Sequence, residues 1–379
     1  MAFENASYQS FSNLQTVCLK QNIPFASYRL PLQTEVATLI QHKSFPEKLD
    51  SLQDIDKKTG FVIAPFMESA NHGTFLLNPD KVFIGNAIET GFIEALKQNT
   101  LFILTEKHSE NEISTTPAKD FISQVNTAIK AMGNDQFLKV VLSKVRLEKL
   151  DDNFNPANFF LRLCEKYPHA FVYIIQMPEV GCWMGATPEP LLEIDNESVR
   201  TVSLAGTQIA TERQLDSYRW SKKELEEQQI VTNFVEQTLL TLQIKNFNKV
   251  GPTNYQAANL IHLRTSFEFA QTDLKNRMGE ILKALHPTPS VGGLPKNDAT
   301  NFILANEKHD RGYYTGFLGP ININSKSNIF VNLRCLQLFD KQFVLYSGAG
   351  ITSSSIAEKE WEETDNKMMT LMNVMRVEC

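Results

Sequence analysis

The sequence has little cysteine, and none of it is paired in a recognisable motif. The five cysteines, Cys18, Cys164, Cys182, Cys335 and Cys379, are scattered, and no C-x-x-C spacing occurs. An odd and scattered set argues against a disulfide framework, and thiolate metal sites normally need closely spaced cysteines. The chain is therefore expected to depend on a hydrophobic core for its stability.

Long hydrophobic runs are also missing. No apolar stretch approaches the roughly 18 residues that a membrane-spanning helix needs. The start of the chain, residues 1–5, has neither the basic nor the apolar segment of a signal peptide. We therefore expect a cytoplasmic protein with no membrane partner.

The chain lacks an excess of positive charge. Its 379 residues include 37 Lys and Arg against 43 Asp and Glu, which gives a net charge of −6. Binding to a nucleic-acid backbone needs clustered basic residues, so no nucleic-acid partner is expected. With 42% hydrophobic and 21% charged residues, the composition is that of an ordinary globular protein.

Several familiar catalytic motifs are absent. The seven histidines form no H-E-x-x-H spacing, which argues against a zinc hydrolase. The sequence contains no G-x-S-x-G, no P-loop and no dinucleotide-binding glycine motif. Serine hydrolases of that type and nucleotide-binding enzymes therefore have no support.

What is present is a mixture of strand-like and helix-like segments. Short apolar runs bounded by turns predict strands at 61–64, 74–77, 82–84, 101–104, 137–145, 171–175, 191–194, 314–323, 329–338 and 343–346. Longer patterns predict helices at 118–132, 156–166, 214–242, 274–285, 296–307 and 357–374. Strands and helices do not alternate strictly, which favours an α+β fold, and the polar segment 107–119 is the best candidate linker.

Lys139 interrupts a strand that otherwise reads as buried on both faces. A buried ammonium loses solvation, which lowers its pKa and allows the amine to act as a general base near neutral pH. A lysine at a sheet edge, with its head group in water, explains the same pattern. The sequence alone leaves the two interpretations equal.

Glu189 lies between two prolines, in the segment Gly185-Ala186-Thr187-Pro188-Glu189-Pro190. Prolines restrict the backbone, and apolar neighbours keep a carboxylic acid protonated to higher pH, so this residue could act as a general acid. A glutamate in a surface turn is the simpler alternative.

Two predicted helices carry paired carboxylates. Glu224 and Glu227 are three residues apart, as are Glu360 and Glu363, so each pair shares a helix face. Mg²⁺ prefers a few carboxylates together with an anionic substrate. Acidic helix faces are usually only solvated, so neither pair is decisive alone.

Glycine-rich segments and one arginine supply candidate anion-binding groups. Ser347-Gly348-Ala349-Gly350-Ile351 follows a predicted strand and precedes a predicted helix, and its glycines allow close backbone approach, with free N–H groups that could meet a carboxylate or phosphate. Arg334, predicted within a strand, suits a bidentate carboxylate contact. Its alternative is a structural ion pair with a buried acid.

Taken in order, eight segments resemble the chorismate-utilising enzymes, and among them the isochorismate synthases. They are Leu138-Lys139-Val140-Val141-Leu142-Ser143-Lys144, Gly185-Ala186-Thr187-Pro188-Glu189, Leu204-Ala205-Gly206-Thr207, Glu224-Leu225-Glu226-Glu227, Leu285-His286-Pro287-Thr288-Pro289, Arg311-Gly312-Tyr313-Tyr314-Thr315-Gly316, Gly348-Ala349-Gly350-Ile351 and Trp361-Glu362-Glu363-Thr364-Asp365-Asn366-Lys367.

The resemblance covers residues 115–375 and implies one α+β domain over 1–379, in which two antiparallel sheets pack together with helices outside. Residues 1–110 would be its less characteristic N-terminal half. It also implies chorismate as substrate and Mg²⁺ as cofactor. We expect a monomer, because no long apolar edge strand calls for a partner.

The resemblance implies a role for each matching residue. Lys139 would activate water for attack on C2 of the chorismate ring, and Glu189 would protonate the departing C4 hydroxyl. The implied metal-binding residues are Glu227 and Glu363, supported by Glu224 and Glu360. The implied substrate-binding residues are Ala205, Gly206, Thr207, His286, Tyr314, Arg334, Gly348, Gly350 and Lys367.

Two positions help to choose among relatives. Anthranilate synthases resemble this pattern but carry Gln at the position of Lys139, so Lys favours water as nucleophile. Aminodeoxychorismate synthases tend to have Lys at the position of Ala205, so Ala argues against covalent amination. Gln228 and Gln229 replace the histidine-containing stretch that is common after the metal-binding glutamate.

The resemblance thus predicts an isochorismate synthase that serves menaquinone or siderophore synthesis. A salicylate synthase, which would also release pyruvate, shares Lys139 and Glu189 and is the alternative. A non-catalytic chorismate-binding scaffold is disfavoured, because a retired site would be expected to lose some of its charged residues.

Overall fold

A computed structural model describes residues 6–85, 88–98, 113–210, 215–257 and 260–375. The predicted strand at 101–104 and the first part of the predicted linker lie outside these residues. No helix in the described ranges is both long enough and apolar enough to cross a bilayer.

The described residues form eight α-helices and eighteen strands. The helices are α1 (Ala6–Lys20), α2 (Thr90–Lys97), α3 (Ala118–Gly133), α4 (Pro156–Lys166), α5 (Lys222–Thr241), α6 (Met278–Leu285), α7 (Lys296–Asn306) and α8 (Ala357–Met375). The strands are β1 (Phe25–Arg29), β2 (Ala37–Ile40), β3 (Glu47–Leu49), β4 (Gly60–Ala64), β5 (Thr74–Leu77), β6 (Lys81–Ile84), β7 (Lys139–Lys149), β8 (Phe171–Met177), β9 (Gly181–Thr187), β10 (Pro190–Ile194), β11 (Ser198–Ile209), β12 (Asn248–Ala257), β13 (Leu260–Ala270), β14 (Gly293–Leu294), β15 (Phe317–Ile321), β16 (Ser327–Val331), β17 (Cys335–Leu338) and β18 (Gln342–Ile351).

The strands build two antiparallel sheets of nine strands each. Sheet I has the order β14-β7-β18-β17-β9-β8-β1-β2-β6, and sheet II has the order β12-β13-β11-β10-β16-β15-β4-β5-β3. The predicted α+β class with two antiparallel sheets is therefore confirmed.

The two sheets face each other across an aromatic core. Phe171 of β8 stacks on Phe330 of β16 with ring centroids 4.2 Å apart, and Tyr28 of β1 lies 5.8 Å from Phe61 of β4. Each pair joins one sheet to the other. Such contacts are possible because successive residues of a strand point to opposite faces, so alternate apolar residues line the interior.

The helices cover the outer faces of the sheets. Phe11 of α1, Phe159 of α4 and Leu371 of α8 belong to the apolar cluster on sheet I. Val235 of α5 and Ile281 of α6 belong to the cluster on sheet II. The arrangement of helices outside two sheets matches the prediction.

Most predicted helices and strands lie within a few residues of the observed ones. Two predictions are wrong in a way that matters for the site. The helix predicted over 214–242 begins at Lys222, because Ser221 caps it with its hydroxyl and accepts from the Glu224 N–H. The strand predicted over 329–338 is split into β16 and β17, since the chain crosses from sheet II to sheet I at residues 332–334.

The N-terminal residues supply strands to both sheets. β1 pairs with β8 in sheet I, and β4 pairs with β15 in sheet II. This interleaving favours a single domain over the whole chain, which stays a prediction.

Replacing Phe171 by Ala should reduce the free energy of unfolding by about 3–5 kcal/mol, because it leaves a cavity where the two sheets meet. The measurement is equilibrium urea unfolding followed by circular dichroism. Phe45→Ala is the matched control, since Phe45 is 47% exposed and its loss should cost less than about 1 kcal/mol. Equal losses in the two variants would show that the aromatic core does not join the sheets.

Candidate active site

A cavity of about 360 Å³ lies between the two sheets and two helix ends. Its walls come from β7 and β18 of sheet I, from β11 and β13 of sheet II, and from the first two turns of α5 and the first three turns of α8. The predicted site residues that line it are Glu189, Ala205, Gly206, Thr207, Glu224, Glu227, Tyr314, Arg334, Gly348, Gly350, Glu363 and Lys367.

Lys139 lies directly behind this wall. Its side chain is 0% exposed, and its Nζ is 2.7 Å from Oε1 of Glu227. The edge-strand alternative is wrong, because Lys139 pairs with Leu294 of β14 and its head group does not reach water. The contact is a close ion pair without favourable hydrogen-bond geometry, and the ammonium has no hydrogen-bond partner among the described residues.

Gly350 makes the approach of these two side chains possible. A Cβ at this position would lie 2.4 Å from Oε1 of Glu227 and 3.2 Å from Cε of Lys139. Real Cβ atoms do not tolerate the first of these distances. Glycine at 350 is therefore a steric requirement of the Lys139–Glu227 pair.

Glu189 is held between β9 and β10, and only 3% of it is exposed. Its carbonyl oxygen accepts a hydrogen bond from the N–H of Val331. Burial raises the pKa of its carboxyl group to about 7, although Lys139 and Arg334 act in the opposite direction. The surface-turn interpretation is wrong, and the carboxyl is suited to carry a proton at neutral pH.

The four candidate metal ligands come from α5 and α8, and each already has a partner. Glu227 contacts Lys139, Glu363 contacts Lys367 at 2.6 Å, and Glu360 contacts Lys223 at 2.6 Å. The Glu224 carboxylate accepts from the Ser221 N–H at 2.8 Å and completes the cap of α5. Glu360 is almost fully buried and does not line the cavity.

The carboxylate set fits one mode of Mg²⁺ binding. No three His, Cys, Asp or Glu side chains in the described ranges come together closely enough to hold a metal ion by themselves. Mg²⁺ usually takes one or two carboxylates and completes its shell with water and an anionic substrate. Glu227 and Glu363 both line the cavity and supply the oxygen ligands for that mode.

A buried polar cluster fixes the position of the α5 segment that carries Glu227. The neighbouring Gln228 donates from Nε2 to Oγ of Ser203 at 3.0 Å and to Oγ1 of Thr265 at 3.1 Å. These contacts tie α5 to β11 and β13. Gln228, one of the positions that differ from the usual pattern of the chorismate-utilising enzymes, thus anchors α5, which carries the candidate metal ligands Glu224 and Glu227.

The glycines at 348 and 350 lie beyond the strand predicted over 343–346, but the observed strand is longer and includes them. Both continue β18, where Gly348 pairs with Ser143 and Gly350 with Val141 of β7. The pairing of β18 with β17 extends only over Phe343–Leu345, so this end of β18 has a described strand on one side only. Its other edge borders the cavity, and Lys367 Nζ donates to the Gly348 carbonyl at 2.9 Å.

Arg334 does not lie within a strand as predicted. It occupies the crossing between β16 and β17 with a φ of 48°, a left-handed conformation that is unusual for a residue other than glycine. It is half-buried, and within the described ranges no ion pair occupies its guanidinium. The alternative that Arg334 forms a structural ion pair therefore has no support within the described ranges. The guanidinium of Arg334 instead lines the cavity.

The segment from Ala205 to Thr207 bends into the cavity. The register of β11 against β13 shifts between Ala205 and Gln208, and Gly206 has a φ of 69°. A Cβ at Gly206 would lie 2.9 Å from the Trp220 ring, so a larger residue would collide with it. A bulge of this kind redirects side chains beside a site.

His286 is the one predicted substrate contact that the structure places elsewhere. It does not line the cavity; its Nε2 lies 3.1 Å from the Pro65 carbonyl and 3.2 Å from the Phe66 carbonyl. Burial lowers its pKa to about 4, so the ring is neutral, and Nε2–H donates to these carbonyls. His286 therefore fixes the loop after β4.

Sequence reasoning missed His262. It lies in β13 and lines the cavity, and Nδ1 donates to the Gly206 carbonyl at 2.7 Å. Burial lowers its pKa to about 3, so the ring is neutral and Nε2 is an acceptor, with no partner among the described residues. A lone histidine in an apolar strand carries no spacing signal, so only the fold could reveal it.

Comparison with known proteins agrees with the site. The family model described as chorismate binding enzyme matches residues 57–376. The chain is 28% identical over 260 residues to isochorismate synthase EntC of Escherichia coli K12, a match that spans 67% of this chain and 66% of that protein. It is 29% identical over 276 residues to isochorismate synthase DhbC of Bacillus subtilis, which covers 69% of this chain and 68% of that one.

Solved structures show the same fold. The menaquinone-specific isochorismate synthase MenF of Escherichia coli matches with a TM-score of 0.76 at 20% identity, over 99% of this chain and 92% of that chain. A Bacillus anthracis protein described as a 2,3-dihydroxybenzoate-specific isochorismate synthase, DhbC, matches with a TM-score of 0.77 at 20% identity, over 96% and 99%. Because the family model spans most of the chain, this protein belongs to the family of chorismate-binding enzymes.

Proposed function

We propose that this protein is an isochorismate synthase, which converts chorismate to isochorismate with Mg²⁺ as cofactor. The observation that carries the proposal is the buried carboxyl of Glu189 in the cavity wall, together with buried Lys139 behind that wall and in contact with Glu227. Isochorismate synthases among its relatives support the choice of reaction.

The cavity offers two places for a dicarboxylate. Arg334 presents a fork of donors at the crossing between the sheets, and the free edge of β18 near Gly348 supplies backbone groups beside it. Glu227, beside Gly350, and Glu363, which shares Lys367 with the Gly348 carbonyl, would hold Mg²⁺ in the same cavity. When bound, the metal would neutralise the ring carboxylate. The enolpyruvyl carboxylate would then be held by Arg334.

The base, Lys139, accepts a proton from the water that attacks C2, and the acid, Glu189, donates a proton to the hydroxyl that leaves C4. With Lys139 in its neutral amine form, water attacks C2 and gives a proton to Nζ of Lys139, the ring double bond shifts, and the C–O bond at C4 breaks. Glu189 gives its proton to the departing hydroxyl, which leaves as water. One water enters and one leaves, so the reaction is an isomerisation, and the two residues regain their starting states by proton exchange with solvent.

Lys139 and His262 would direct the attack. Lys139 is fixed by its place in β7 and by the contact with Glu227. The free Nε2 of His262 can accept a hydrogen bond from a hydroxyl group or from water in the cavity. A fixed acceptor of this kind positions a reactant without taking its proton.

The product would serve menaquinone or siderophore synthesis. The names of its relatives include both a menaquinone-specific enzyme and a vibriobactin-specific one. Cytoplasmic location and a monomeric state stay predictions.

Incubation with chorismate and Mg²⁺, followed by chromatography and a parallel pyruvate assay, tests this proposal. Isochorismate without pyruvate is expected. Lys139→Met and Glu189→Gln should each reduce turnover at least about 100-fold, because each removes one proton-transfer group. Lys130→Met is the control for loss of a lysine outside the cavity and should keep full turnover. Salicylate with equimolar pyruvate would identify a salicylate synthase instead, and binding without product would identify a scaffold.

The rate should depend on the protonation of Glu189. Its pKa of about 7 means that the carboxyl loses its proton as the pH rises through 7, so kcat/KM should fall about tenfold per pH unit above that value. The measurement is a pH profile from 6 to 9 at saturating Mg²⁺, in which Glu189→Gln should lack this alkaline decline. A flat wild-type profile would contradict the assignment of Glu189 as the acid.

A further inference from the structure

Three ammonium groups neutralise three of the carboxylates at the metal-binding end of the cavity. The pairs are Lys139 with Glu227 at 2.7 Å, Lys223 with Glu360 at 2.6 Å, and Lys367 with Glu363 at 2.6 Å. The proposed reaction and the resemblance give a role to the first and third of these lysines. Neither of them explains Lys223.

Lys223 connects the two helices that carry the carboxylates. It lies in the first turn of α5, lines the cavity, and donates from Nζ to Oε1 of Glu360 on α8. Glu360 is only 2% exposed, so without Lys223 its charge would be buried with little compensation. Glu227 and Glu363 are also within electrostatic reach of the ammonium.

We propose that Lys223 is an internal counter-cation that competes with the divalent metal ion for the carboxylates of α5 and α8. In the metal-free protein the ammonium neutralises Glu360. When a divalent cation binds nearby, the like charges repel and Glu360 is shared or released. This inference rests on the metal site of the proposed function.

Competition has a signature that a simple salt bridge lacks. Removing the ammonium destabilises the metal-free protein and at the same time tightens metal binding, because the metal ion no longer has to overcome a cation already present. A purely structural pair would lower the stability of both states and leave the metal affinity unchanged. Loss of the Lys223 charge therefore lowers the stability of the metal-free protein and raises the metal affinity together only if Lys223 competes with the metal ion.

The neighbouring residue offers a matched control. Lys222 lies one position earlier in α5 and is 90% exposed, and it forms a surface ion pair with Glu226 at 3.6 Å. Lys222→Met removes the same charge from the same helix turn without touching Glu360. Lys223→Arg keeps the charge at the tested position.

The experiment is calorimetric titration of the substrate-free full chain with MgCl₂, together with thermal unfolding in EDTA. Lys223→Met should bind Mg²⁺ about tenfold more tightly than wild type and should unfold at a lower temperature in EDTA. Lys222→Met and Lys223→Arg should match wild type. If Lys223→Met unfolds without metal, the Mg²⁺ dependence of its unfolding temperature gives the same binding constant through linkage.

The outcomes separate this inference from the proposed function. Unchanged or weaker Mg²⁺ binding by Lys223→Met, beside measurable binding by wild type, would overturn the competition and leave the metal site intact. No Mg²⁺ binding by wild type, without or with chorismate, would overturn the metal site itself and the competition with it.

Discussion

The site depends on a buried lysine, Lys139, that is kept out of water and held against a carboxylate of opposite charge, Glu227. Lys139 and Glu189 are both almost completely buried, and burial raises the pKa of the Glu189 carboxyl to about 7. Glu227 lies against Lys139, and the charges of Lys139 and Arg334 oppose the rise in the Glu189 pKa that burial causes. A buried ion pair adds little net stability, but the loss of one partner is costly. The arrangement is therefore better understood as a requirement of chemistry than of folding.

Two nine-stranded sheets make this burial possible. Sheet I brings β7 and β18 to one wall of the cavity, sheet II brings β11 and β13 to another, and α5 and α8 close it with carboxylates. The chain crosses between the sheets at Arg334, so the guanidinium is presented where the walls meet. Glycine at 350 and at 206 removes side chains that would collide with Glu227 and Trp220. The fold thus sets the distances between groups that are far apart in sequence.

Much of this could be predicted from the sequence, and the failures have physical causes. The ordered motifs identified the family and most residues of the cavity, because each motif carries its own local structure. The strand predicted over 343–346 omits the glycines at 348 and 350, since local sequence does not reveal that pairing with β7 continues the strand through them. The sequence predicts Arg334 within a strand. It does not reveal that the chain crosses between the two sheets at this residue, because the crossing depends on tertiary structure. The sequence predicts that His286 contacts the substrate, but the structure places His262 at the cavity and His286 elsewhere. Only packing decides which buried histidine faces the cavity.

The central claim is that a buried Lys139 activates solvent water for attack on C2. The most direct measurement is mass spectrometry of isochorismate formed in H₂¹⁸O and collected at low conversion. The account predicts one ¹⁸O atom in the product, located in the new C2 hydroxyl. Unlabelled isochorismate would contradict it, because the C4 hydroxyl would then have moved within the substrate and the base would have no water to activate.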